Sequence, residues 1–471
     1  MNTVTRWVPI VCSALMSASL MMVPARAVAV GPQDVRGSNA RPIRRLDGHV
    51  DTPATIARLQ EMNAKTHMFL INEQRDWDDL RLEFAPAAQA EGIKVWVYLR
   101  DPRVCVCDEC TNYAPYGKHY EDWGAAIARL SIRYPVVTAW AIDDFANEDN
   151  LSFFTPAYVA QIREKSRSIQ PTLEFYPVVY YHFITDLFLH FYAPLIDALI
   201  MPYRDDPYRN TLWTRSLRGQ LSSAATRLAS HDRKLILMVY ARKLSKTQVT
   251  PDVDYVRRIT AVGVHDTQAG TIAGVVQYGI PLTPGQPGYG DVNFSHGAGH
   301  GALVLTVGSE QSTSTGDWAG AASRILLNPG STSCRLRVWH RDNRGAPTTK
   351  FGYHFKQVVV NDTVIWSHDV FSNDTQWHST SMDLTPLMIE GSAQLMLRLY
   401  EKAGVSNLQV RARFDDISLT GCLLLGGNTS FESIGGWGFI RSGGPVLAGQ
   451  HIYDPEYSTS VFDMIAQIYT E

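Results

Sequence analysis

The feature that most limits what this chain can fold into is an alternation, between residues 41 and 281, of short apolar runs with amphipathic stretches. Runs such as Val-Trp-Val-Tyr-Leu and Leu-Ile-Leu-Met-Val-Tyr are apolar at almost every position, which is typical of parallel strands covered by helices on both faces. Eight such runs predict strands at 42–46, 66–71, 93–99, 136–143, 173–180, 196–202, 234–240 and 273–280. Apolar residues at three- and four-residue spacing predict helices between them, at 52–62, 77–90, 122–133, 156–168, 211–230 and 253–262.

Eight successive strand and helix units predict an α/β fold, a closed (β/α)8 or TIM barrel, over residues 40–285. An open, doubly wound sheet is the alternative. That fold would carry a glycine-rich phosphate-binding turn after its first strand, and the sequence has none there. The pattern therefore favours the barrel.

A second domain follows a stretch rich in glycine and proline at 281–299. Apolar and polar residues then alternate in short segments separated by turn residues, which predicts an all-β sandwich, jelly-roll-like, over 296–424. Its predicted strands lie at 303–307, 323–327, 334–340, 354–360, 363–367, 377–383, 393–400 and 410–420.

The C-terminal segment, 425–471, is first rich in glycine and then helical in its periodicity. No clear helix pattern directly follows the eighth barrel strand. We therefore expect the sandwich to be inserted at that point rather than simply C-terminal, with a closing helix near 461–468 that returns to the barrel.

The first 29 residues have the pattern of a secretory signal peptide, with Arg6, an apolar run over 7–23 and small-x-small cleavage sites at 25–27 and 27–29. The alternative is an uncleaved membrane anchor. Export predicts a secreted or periplasmic protein with no membrane association after the signal is removed. The net charge is −3 and no basic tract stands out, so nucleic acid is not an expected partner.

Five cysteines remain once the one in the signal peptide is removed. Cys334 and Cys422 lie near opposite ends of the predicted sandwich, and an exported domain favours a disulfide between them. The other three form a C-x-C-x-x-C cluster upstream of a histidine. This group could bind zinc, or it could hold one local disulfide and a spare thiol; its members are Cys105, Cys107, Cys110 and His119.

Two adjacent aspartates end the fourth predicted strand, in the sequence Trp-Ala-Ile-Asp-Asp-Phe. The active site of an α/β barrel lies at the carboxyl ends of its strands. Side chains alternate along a strand, so one of Asp143 and Asp144 is expected to point into the barrel mouth. Two carboxyl groups this close should differ in pKa, giving one acid and one carboxylate near neutral pH. We predict both as catalytic; the alternative is a helix cap with a structural salt bridge.

Other strand ends also carry polar and aromatic side chains that could hold sugar hydroxyls. The predicted substrate-binding residues are Arg100, Asp101, Asn147, Tyr180, His182, Tyr203, Asp205, Tyr240, Gln277 and Tyr278. For Asp205 the alternative is a loop salt bridge with Arg204, and for His182 it is a local structural role.

The run 139–145, with its paired aspartates, resembles the fourth strand of glycoside hydrolase family 84 hexosaminidases, and 175–180 resembles their fifth strand. This resemblance implies that Asp143 orients the substrate's 2-acetamido group, which is itself the nucleophile, and that Asp144 is the general acid/base. The first strand lacks the family's Glu-Gly-Phe-Tyr-Gly motif and the seventh lacks its Asp-Asn. The resemblance therefore favours a barrel glycosidase in general over a hexosaminidase in particular.

The sandwich ends in Phe-Asp-Asp-Ile-Ser-Leu at 414–419, which resembles the final strand of carbohydrate-binding jelly rolls, many of which carry a structural calcium ion. A plain accessory sandwich is the alternative. Together these features predict a glycoside hydrolase that acts on a poly- or oligosaccharide and needs no cofactor for catalysis. Two alternatives remain open: another polysaccharide-active barrel, such as a lyase or deacetylase, and a non-catalytic glycan-binding protein. A lyase for acidic sugars would need a basic mouth, to which Arg100, Arg204 and Arg242 could contribute.

Overall fold

The structure of the protein is a computed structural model that describes residues 34–104, 115–147, 149–242, 244, 250–283, 294–342, 350–370, 375–454 and 456–471. The predicted signal peptide and the cysteines at 105, 107 and 110 lie outside the described residues. Within the described parts of the chain, no helix combines the length and apolar character needed to cross a bilayer.

Eight parallel strands form a (β/α)8 barrel, hydrogen-bonded in the order β5-β4-β3-β2-β1-β8-β7-β6. The ring closes between the fifth and sixth strands, where Val178 pairs with Ile200 and the Val179 N–H donates to the Ile200 carbonyl oxygen at 2.9 Å. The strands are β1 (Val35–Asn39), β2 (Thr66–Ile71), β3 (Lys94–Leu99), β4 (Val137–Ile142), β5 (Glu174–Pro177), β6 (Ala198–Pro202), β7 (Lys234–Tyr240) and β8 (Gly274–Tyr278).

The first barrel strand is β1, not the predicted run at 42–46, which lies in the loop after it. Its sequence, Val-Arg-Gly-Ser-Asn, lacks the apolar signal that marks the other strands. The strand needs a small residue at Gly37, because a Cβ there would lie 2.8 Å from Val276 Cγ2 on β8. Strands β1 and β8 therefore lie too close together at Gly37 for a larger side chain to fit.

Helices cover the outer face of the barrel. In α6 the Thr155 side chain accepts the Tyr158 N–H and Pro156 stands in the first turn, which is the expected start of a helix. The predicted helix at 211–230 begins only at Leu217, because the residues before it form a loop. The helices are α1 (Thr52–Glu61), α2 (Gln74–Asp79), α3 (Ala85–Ala90), α4 (Tyr120–Arg133), α5 (Asn150–Phe153), α6 (Pro156–Ile169), α7 (Asp186–Tyr192), α8 (Leu217–Ala229), α9 (Val253–Gln268) and α10 (Tyr457–Ile468).

Alternate residues of each strand fill the barrel interior. Small residues on one strand face large ones on its neighbours: Ala139 and Ala141 of β4 lie in the same buried cluster as Trp96 of β3 and Tyr176 of β5. The Trp96 and Tyr176 rings meet edge to face with centroids 4.9 Å apart. This packing closes the interior, so chemistry is confined to the carboxyl ends of the strands.

Two antiparallel sheets form the sandwich, with orders β13-β12-β15-β10-β17 and β14-β11-β16-β9-β19; β18 also pairs with β10. A disulfide joins Cys334 and Cys422, with an S–S distance of 2.01 Å. The strands are β9 (Gly301–Val307), β10 (Trp318–Leu327), β11 (Arg335–Asp342), β12 (His354–Val360), β13 (Thr363–Asp369), β14 (His378–Asp383), β15 (Ser392–Glu401), β16 (Val410–Thr420), β17 (Cys422–Leu424), β18 (Gly438–Arg441) and β19 (Leu447–Ile452).

The sandwich extends past residue 424, where turn residues suggested its end, because β18 and β19 pair with β10 and β9. Glycines surround these two strands, and the sequence pattern there is therefore typical of a loop. After β19 the chain returns to the barrel as α10, which packs on α9. The hydroxyl of Tyr469 donates to the Gly37 carbonyl oxygen at 2.8 Å, so the C-terminus is tied to the first barrel strand.

Candidate active site

A cavity of about 700 Å³ opens at the carboxyl ends of the barrel strands. Asp143, Tyr98 and Tyr278 line it, together with residues from the loops after β1 and β8. The alternation that buries Ala139 and Ala141 inside the barrel places Asp143 on the same inward face. The structure therefore brings the first aspartate of the pair into the mouth.

Asp143 and Asp144 form a tight turn at the end of β4. The Asp143 N–H donates to the Leu99 carbonyl oxygen at 2.9 Å, which continues the pairing with β3. Its own Oδ1 accepts the Asp144 N–H at 3.0 Å. Asp144 has a φ of 45°, in the left-handed region that non-glycine residues rarely adopt. Such backbone strain is concentrated at functional sites.

The Asp143 carboxyl group has a pKa near neutral pH. Burial raises its pKa to about 7, the negative charge of Asp144 adds to the rise, and the Tyr98 hydroxyl offsets part of it. A group with this pKa is populated in both protonation states near neutral pH, as proton transfer requires.

The pKa of Asp144 is also raised, first by burial and then by the charge of Asp101. An Asn147 amide group 3.4 Å from Oδ2, the Arg103 guanidinium at 3.6 Å and the Tyr180 hydroxyl lower it in part. The side chain is 25% exposed, so a ligand in the mouth can reach it. Asp144 thus combines an elevated pKa with access.

Tyrosines surround the pair. The Tyr180 and Tyr240 hydroxyls lie 2.9 Å apart, and the Tyr240 and Tyr278 rings meet edge to face with centroids 5.3 Å apart. Burial raises the pKa of Tyr98 and Tyr180 well above the ordinary value. These phenols stay protonated and can donate hydrogen bonds to sugar oxygens.

A buried arginine follows β6. The Arg204 guanidinium lies 4.0 Å from the centroid of the Tyr180 ring, and its Nη1 is 3.2 Å from Oε2 of Glu310, in the loop after β9. Arg209 approaches the same carboxylate at 3.7 Å. His182 lies close by, and burial together with the two arginines lowers its pKa to about 4, so it is neutral. Sequence reasoning missed Glu310, because the signal is a contact between distant segments.

Three predicted binding residues do not face the mouth. The Asp205 Oδ1 accepts hydrogen bonds from the Tyr203 hydroxyl at 2.8 Å and from the N–H and hydroxyl of Ser216 at 2.8 and 3.0 Å. Asp205 and Tyr203 are therefore used to hold their own loop. Gln277 points outward, since its neighbour Tyr278 points inward, and its amide donates to the Thr260 hydroxyl at 3.0 Å.

Arg100 lines the cavity. Asp101 lies beside it but is only 8% exposed, and its Oδ1 accepts from the Arg103 side chain at 3.0 Å. Asp101 acts on the aspartate pair through its charge. Of the predicted residues, Arg100, Asp143 and Tyr278 line the cavity. Asp144 lies next to Asp143 and interacts with Asn147 and Tyr180, and the Tyr180 hydroxyl contacts that of Tyr240. The charge of Asp101 acts on Asp144, and His182 lies near Arg204.

The second aspartate pair, in the sandwich, holds a loop. Asp415 accepts N–H groups of Asp416 and His296, both at 2.7 Å, and the His296 ring lies 2.6 Å from an Asp416 oxygen. A structural calcium ion in the sandwich stays a prediction. Among the described residues, one group has metal-ligand atoms within 4.8 Å of one another, at the start of α4: His119, Glu121 and Asp122.

No protein-family model matches the sequence, and no curated protein matches it by sequence. Solved structures with a similar fold include a GH53 catalytic domain from Ignisphaera aggregans, at 13% identity and a TM-score of 0.37, covering 56% of this chain and 89% of that one. A glucosidase from Croceicoccus marinus matches at 11% sequence identity and a TM-score of 0.40, and the match covers 79% of this chain and 97% of the glucosidase. A Bacteroides uniformis β-glucuronidase matches at 8% identity and a TM-score of 0.42, covering 81% of this chain and 65% of the glucuronidase. This degree of likeness assigns neither a family nor a substrate to the chain.

Proposed function

We propose that the protein is a glycoside hydrolase whose active site is the mouth of the barrel. One observation carries the proposal: two consecutive aspartates with raised pKa values lie at the end of β4, beside a cavity of about 700 Å³. Hydrolysis of a glycosidic bond needs a carboxylic acid that keeps its proton near neutral pH and a second carboxyl group nearby.

Asp144 is the general acid/base in this proposal. The Asp144 side chain is 25% exposed, whereas the Asp143 carboxyl group interacts with the Tyr98 hydroxyl. Asp144 gives its proton to the leaving glycosidic oxygen as the bond from that oxygen to the anomeric carbon breaks. The resulting carboxylate then takes a proton from the water whose oxygen bonds to the anomeric carbon. Asp143 orients the sugar substituent that stabilises positive charge at that carbon, as the resemblance to family 84 implies.

The tyrosines favour hydrolysis over elimination. A lyase that cleaves acidic glycans needs a base to remove a carbon-bound proton from the sugar ring. Burial raises the pKa of Tyr98, Tyr180 and Tyr278, which makes each a weak source of phenolate. They are better suited to donate hydrogen bonds to sugar hydroxyls than to act as the base.

Hydrolysis of a glycan panel by the purified protein tests the proposal, with products separated by chromatography. Asp144→Asn should reduce the rate on natural glycans about 10²–10⁴-fold. Asp416→Asn is the matched control: in both pairs the first carboxylate accepts the second residue's N–H, and the second φ is 45° or 42°. It should leave the rate unchanged. The proposal fails if the wild type releases no sugar from any glycan, or if both variants lose activity equally.

We also propose that the protein is exported, on the signal-peptide pattern of residues 1–29. Expression in a bacterial host, followed by mass measurement of the periplasmic protein, tests this. A mature chain that begins near residue 28 or 30 is expected. Recovery of the uncleaved chain in the membrane fraction would contradict it.

A further inference from the structure

We propose that Tyr180 and Tyr240 are a positioning pair for Asp144: the Tyr240 hydroxyl donates to the Tyr180 hydroxyl, which thereby keeps its own hydrogen for the Asp144 carboxylate. As a statement about rate the inference rests on the proposed hydrolase function, whereas the direction of the hydrogen bonds can be tested without a substrate. It gives a new role to two residues that the sequence predicted as substrate-binding.

The positions of the two hydroxyl groups are the first observation. They lie 2.9 Å apart, at hydrogen-bond distance. Tyr240, at the end of β7, is only 6% exposed, whereas Tyr180 follows β5 and is partly exposed. The Tyr180 hydroxyl also interacts with the Asp144 carboxyl group and favours its ionised form. Tyr180 therefore contacts a buried phenol as well as the proposed general acid/base.

The direction of these hydrogen bonds follows from a count of hydrogens. A phenol has one hydrogen to donate, and a carboxylate has none. Among the described residues, the Tyr240 hydroxyl has one hydrogen-bond partner, the Tyr180 hydroxyl. If Tyr180 donated to Tyr240, the buried Tyr240 hydrogen would lack an acceptor and the Asp144 carboxylate would lose a donor. Both losses cost free energy, so the favoured direction runs from Tyr240 through Tyr180 to Asp144.

The Tyr180 ring is also held by other side chains. The Arg204 guanidinium, which is only 4% exposed, lies 4.0 Å from the ring centroid. The His182 ring stacks on Tyr180 with centroids 6.2 Å apart and an interplanar angle of 25°. Burial raises the pKa of Tyr180 most, and the charge of Arg204 lowers it in part, which makes the hydroxyl a stronger donor. These contacts limit rotation of the ring away from Asp144.

The lining of the mouth cavity supports the same assignment. It includes Tyr98 and Tyr278 but neither Tyr180 nor Tyr240. Tyr98 and Tyr278 are therefore better placed to hold sugar hydroxyls than Tyr240, whose hydroxyl is buried and already used.

Donation to Asp144 favours the proton transfer of the proposed reaction. As Asp144 gives its proton to the leaving glycosidic oxygen, its carboxyl group becomes a carboxylate, and hydrogen bonds to an ionised acceptor are stronger than those to a neutral one. The hydrogen bond from Tyr180 therefore strengthens as the transition state forms, which raises kcat rather than substrate affinity. Both tyrosines keep their protons, and only Asp144 loses and regains one.

The acid–base behaviour of Asp144 is measured first, without substrate. The full chain is labelled with aspartate that carries carbon-13 in its side-chain carboxyl group, and the Asp144 signal is the one missing from Asp144→Asn. In a pH titration by NMR, Tyr180→Phe and Tyr240→Phe should each raise the pKa of Asp144, because its ionised form loses a donor or keeps a weaker one. Tyr255→Phe is the matched control and should leave this pKa unchanged. Tyr255 is likewise buried, and its hydroxyl has no hydrogen-bond partner in the described parts of the chain.

The other described groups that act on Asp144 are the same in all three variants, so a difference between the variants reports on the tyrosine pair. They are Asp101 and Arg103 after β3, Asp143 and Asn147 after β4, Arg204 after β6, Tyr98 of β3 and Tyr278 of β8.

Kinetics then separate positioning from sugar binding. On a natural glycan, Tyr180→Phe should lower kcat about tenfold or more and Tyr240→Phe about two- to tenfold, with KM nearly unchanged. Both losses should be smaller on a nitrophenyl glycoside, whose leaving group needs little protonation. Tyr255→Phe should change neither constant. Thermal unfolding of each variant verifies the fold, and Tyr240→Phe alone is sufficient if Tyr180→Phe is unstable.

The inference is overturned if Tyr240→Phe leaves the pKa of Asp144 unchanged, as Tyr255→Phe should, or if it raises KM without lowering kcat, which would identify Tyr240 as sugar-binding. A raised pKa of Asp144 in Tyr240→Phe, with no hydrolysis of any glycan by the wild type, would leave the pair standing and refute the proposed function. Hydrolysis by the wild type, with Tyr240→Phe behaving like Tyr255→Phe, would do the reverse.

Discussion

Glu310 of the sandwich forms a 3.2 Å ion pair with Arg204 of the barrel, and that arginine is only 4% exposed. The guanidinium also lies over the Tyr180 ring, whose hydroxyl acts on Asp144. A chain of contacts thus runs from the sandwich loop to Asp144, the proposed general acid/base. The sandwich is therefore part of the structural support of the mouth as well as an accessory domain.

Glu310→Gln should lower both stability and activity. The substitution leaves the buried Arg204 charge without its carboxylate, which should reduce the free energy of unfolding by about 1–3 kcal/mol. Tyr180 would be held less firmly, so we expect kcat/KM to fall about tenfold. Thermal denaturation and steady-state kinetics measure the two effects.

The control for that variant is Lys165→Gln, which breaks an ion pair with Asp122 in which both side chains are more than 40% exposed. Exposed pairs contribute about 0–1 kcal/mol, so stability and kinetics should hardly change. If Glu310→Gln behaved like Lys165→Gln, the contact between the two domains would have no role in the site.

Arg103→Gln should move the alkaline limit of activity upward. The Arg103 guanidinium lies 3.6 Å from Asp144 and lowers the pKa of that carboxyl group, so its removal raises this pKa. A general acid with a higher pKa keeps its proton to higher pH, so the pH at which kcat/KM declines should rise. Arg81→Gln, which breaks an outer-surface pair with Asp78, should leave the profile in place. A downward shift would show that Asp144 is not the acid.

Asp143→Asn should stabilise the protein in alkaline solution. The pKa of Asp143 is about 7 in the folded chain, above the value of about 3.9 in unfolded chains, so folding favours its protonated form. The stability it contributes is present below the unfolded pKa and is lost as pH rises toward 7. The variant cannot ionise and avoids that loss. Its thermal midpoint should exceed that of the wild type by a few degrees at about pH 8 and match it at about pH 4.

Asp205→Ala provides the contrast, because it removes an oxygen that accepts three hydrogen bonds within the loop before α8. Its midpoint should fall at both pH values. Equal destabilisation by Asp143→Asn and Asp205→Ala at about pH 8 would indicate that both aspartates are structural.

Periodicity predicted most of the barrel because buried parallel strands are apolar at nearly every position. It failed for β1, which contains small and polar residues and is recognised only by the close approach of Gly37 to Val276. It also missed β18 and β19, whose neighbouring glycines are typical of loops. Pairing with distant strands determines these elements, and that information is not local in the sequence.

Strand alternation alone predicted that one aspartate of the pair points into the mouth, and this is Asp143, which follows β4 on the same face as Ala139 and Ala141. The same rule would have excluded Gln277, because Tyr278 occupies the inward position. Asp205 could not be placed in this way, since it follows the end of β6 and its orientation depends on the hydrogen bonds of Ser216. Glu310 reaches the site from another domain, which no local pattern reveals.

Loss of the disulfide should destabilise the sandwich. The cross-link between Cys334 and Cys422 spans 88 positions of the sequence, and native disulfides in exported domains typically contribute about 2–5 kcal/mol. The double variant Cys334→Ser, Cys422→Ser should unfold at a lower temperature, and non-reducing mass mapping of the wild type should recover the linked peptides. An unchanged midpoint in reducing buffer would contradict a stabilising role.

The final prediction separates the roles of the two aspartates by their dependence on the leaving group. A nitrophenyl glycoside departs with little protonation, whereas an alkyl glycoside or a natural glycan needs a proton on the leaving oxygen. Asp144→Asn removes the acid, so it should cost about 10²–10⁴-fold on the natural glycan and far less on the nitrophenyl substrate. Asp143→Asn should reduce both rates by similar factors, because it disturbs the orientation of the sugar whatever the leaving group.

The comparison is independent of protein stability, since each variant is measured with both substrates at one temperature. An added nucleophile such as azide should restore activity to Asp144→Asn on the nitrophenyl substrate, because departure of nitrophenol needs no acid and azide replaces the water that the missing base would activate.

The reverse pattern, with leaving-group dependence confined to Asp143→Asn, would assign the acid to Asp143. This outcome has a physical basis, because burial raises the pKa of Asp143 to about 7 while Arg103 and Tyr180 favour the ionised form of Asp144. Equal, small losses for both variants on both substrates would instead show that the pair is structural.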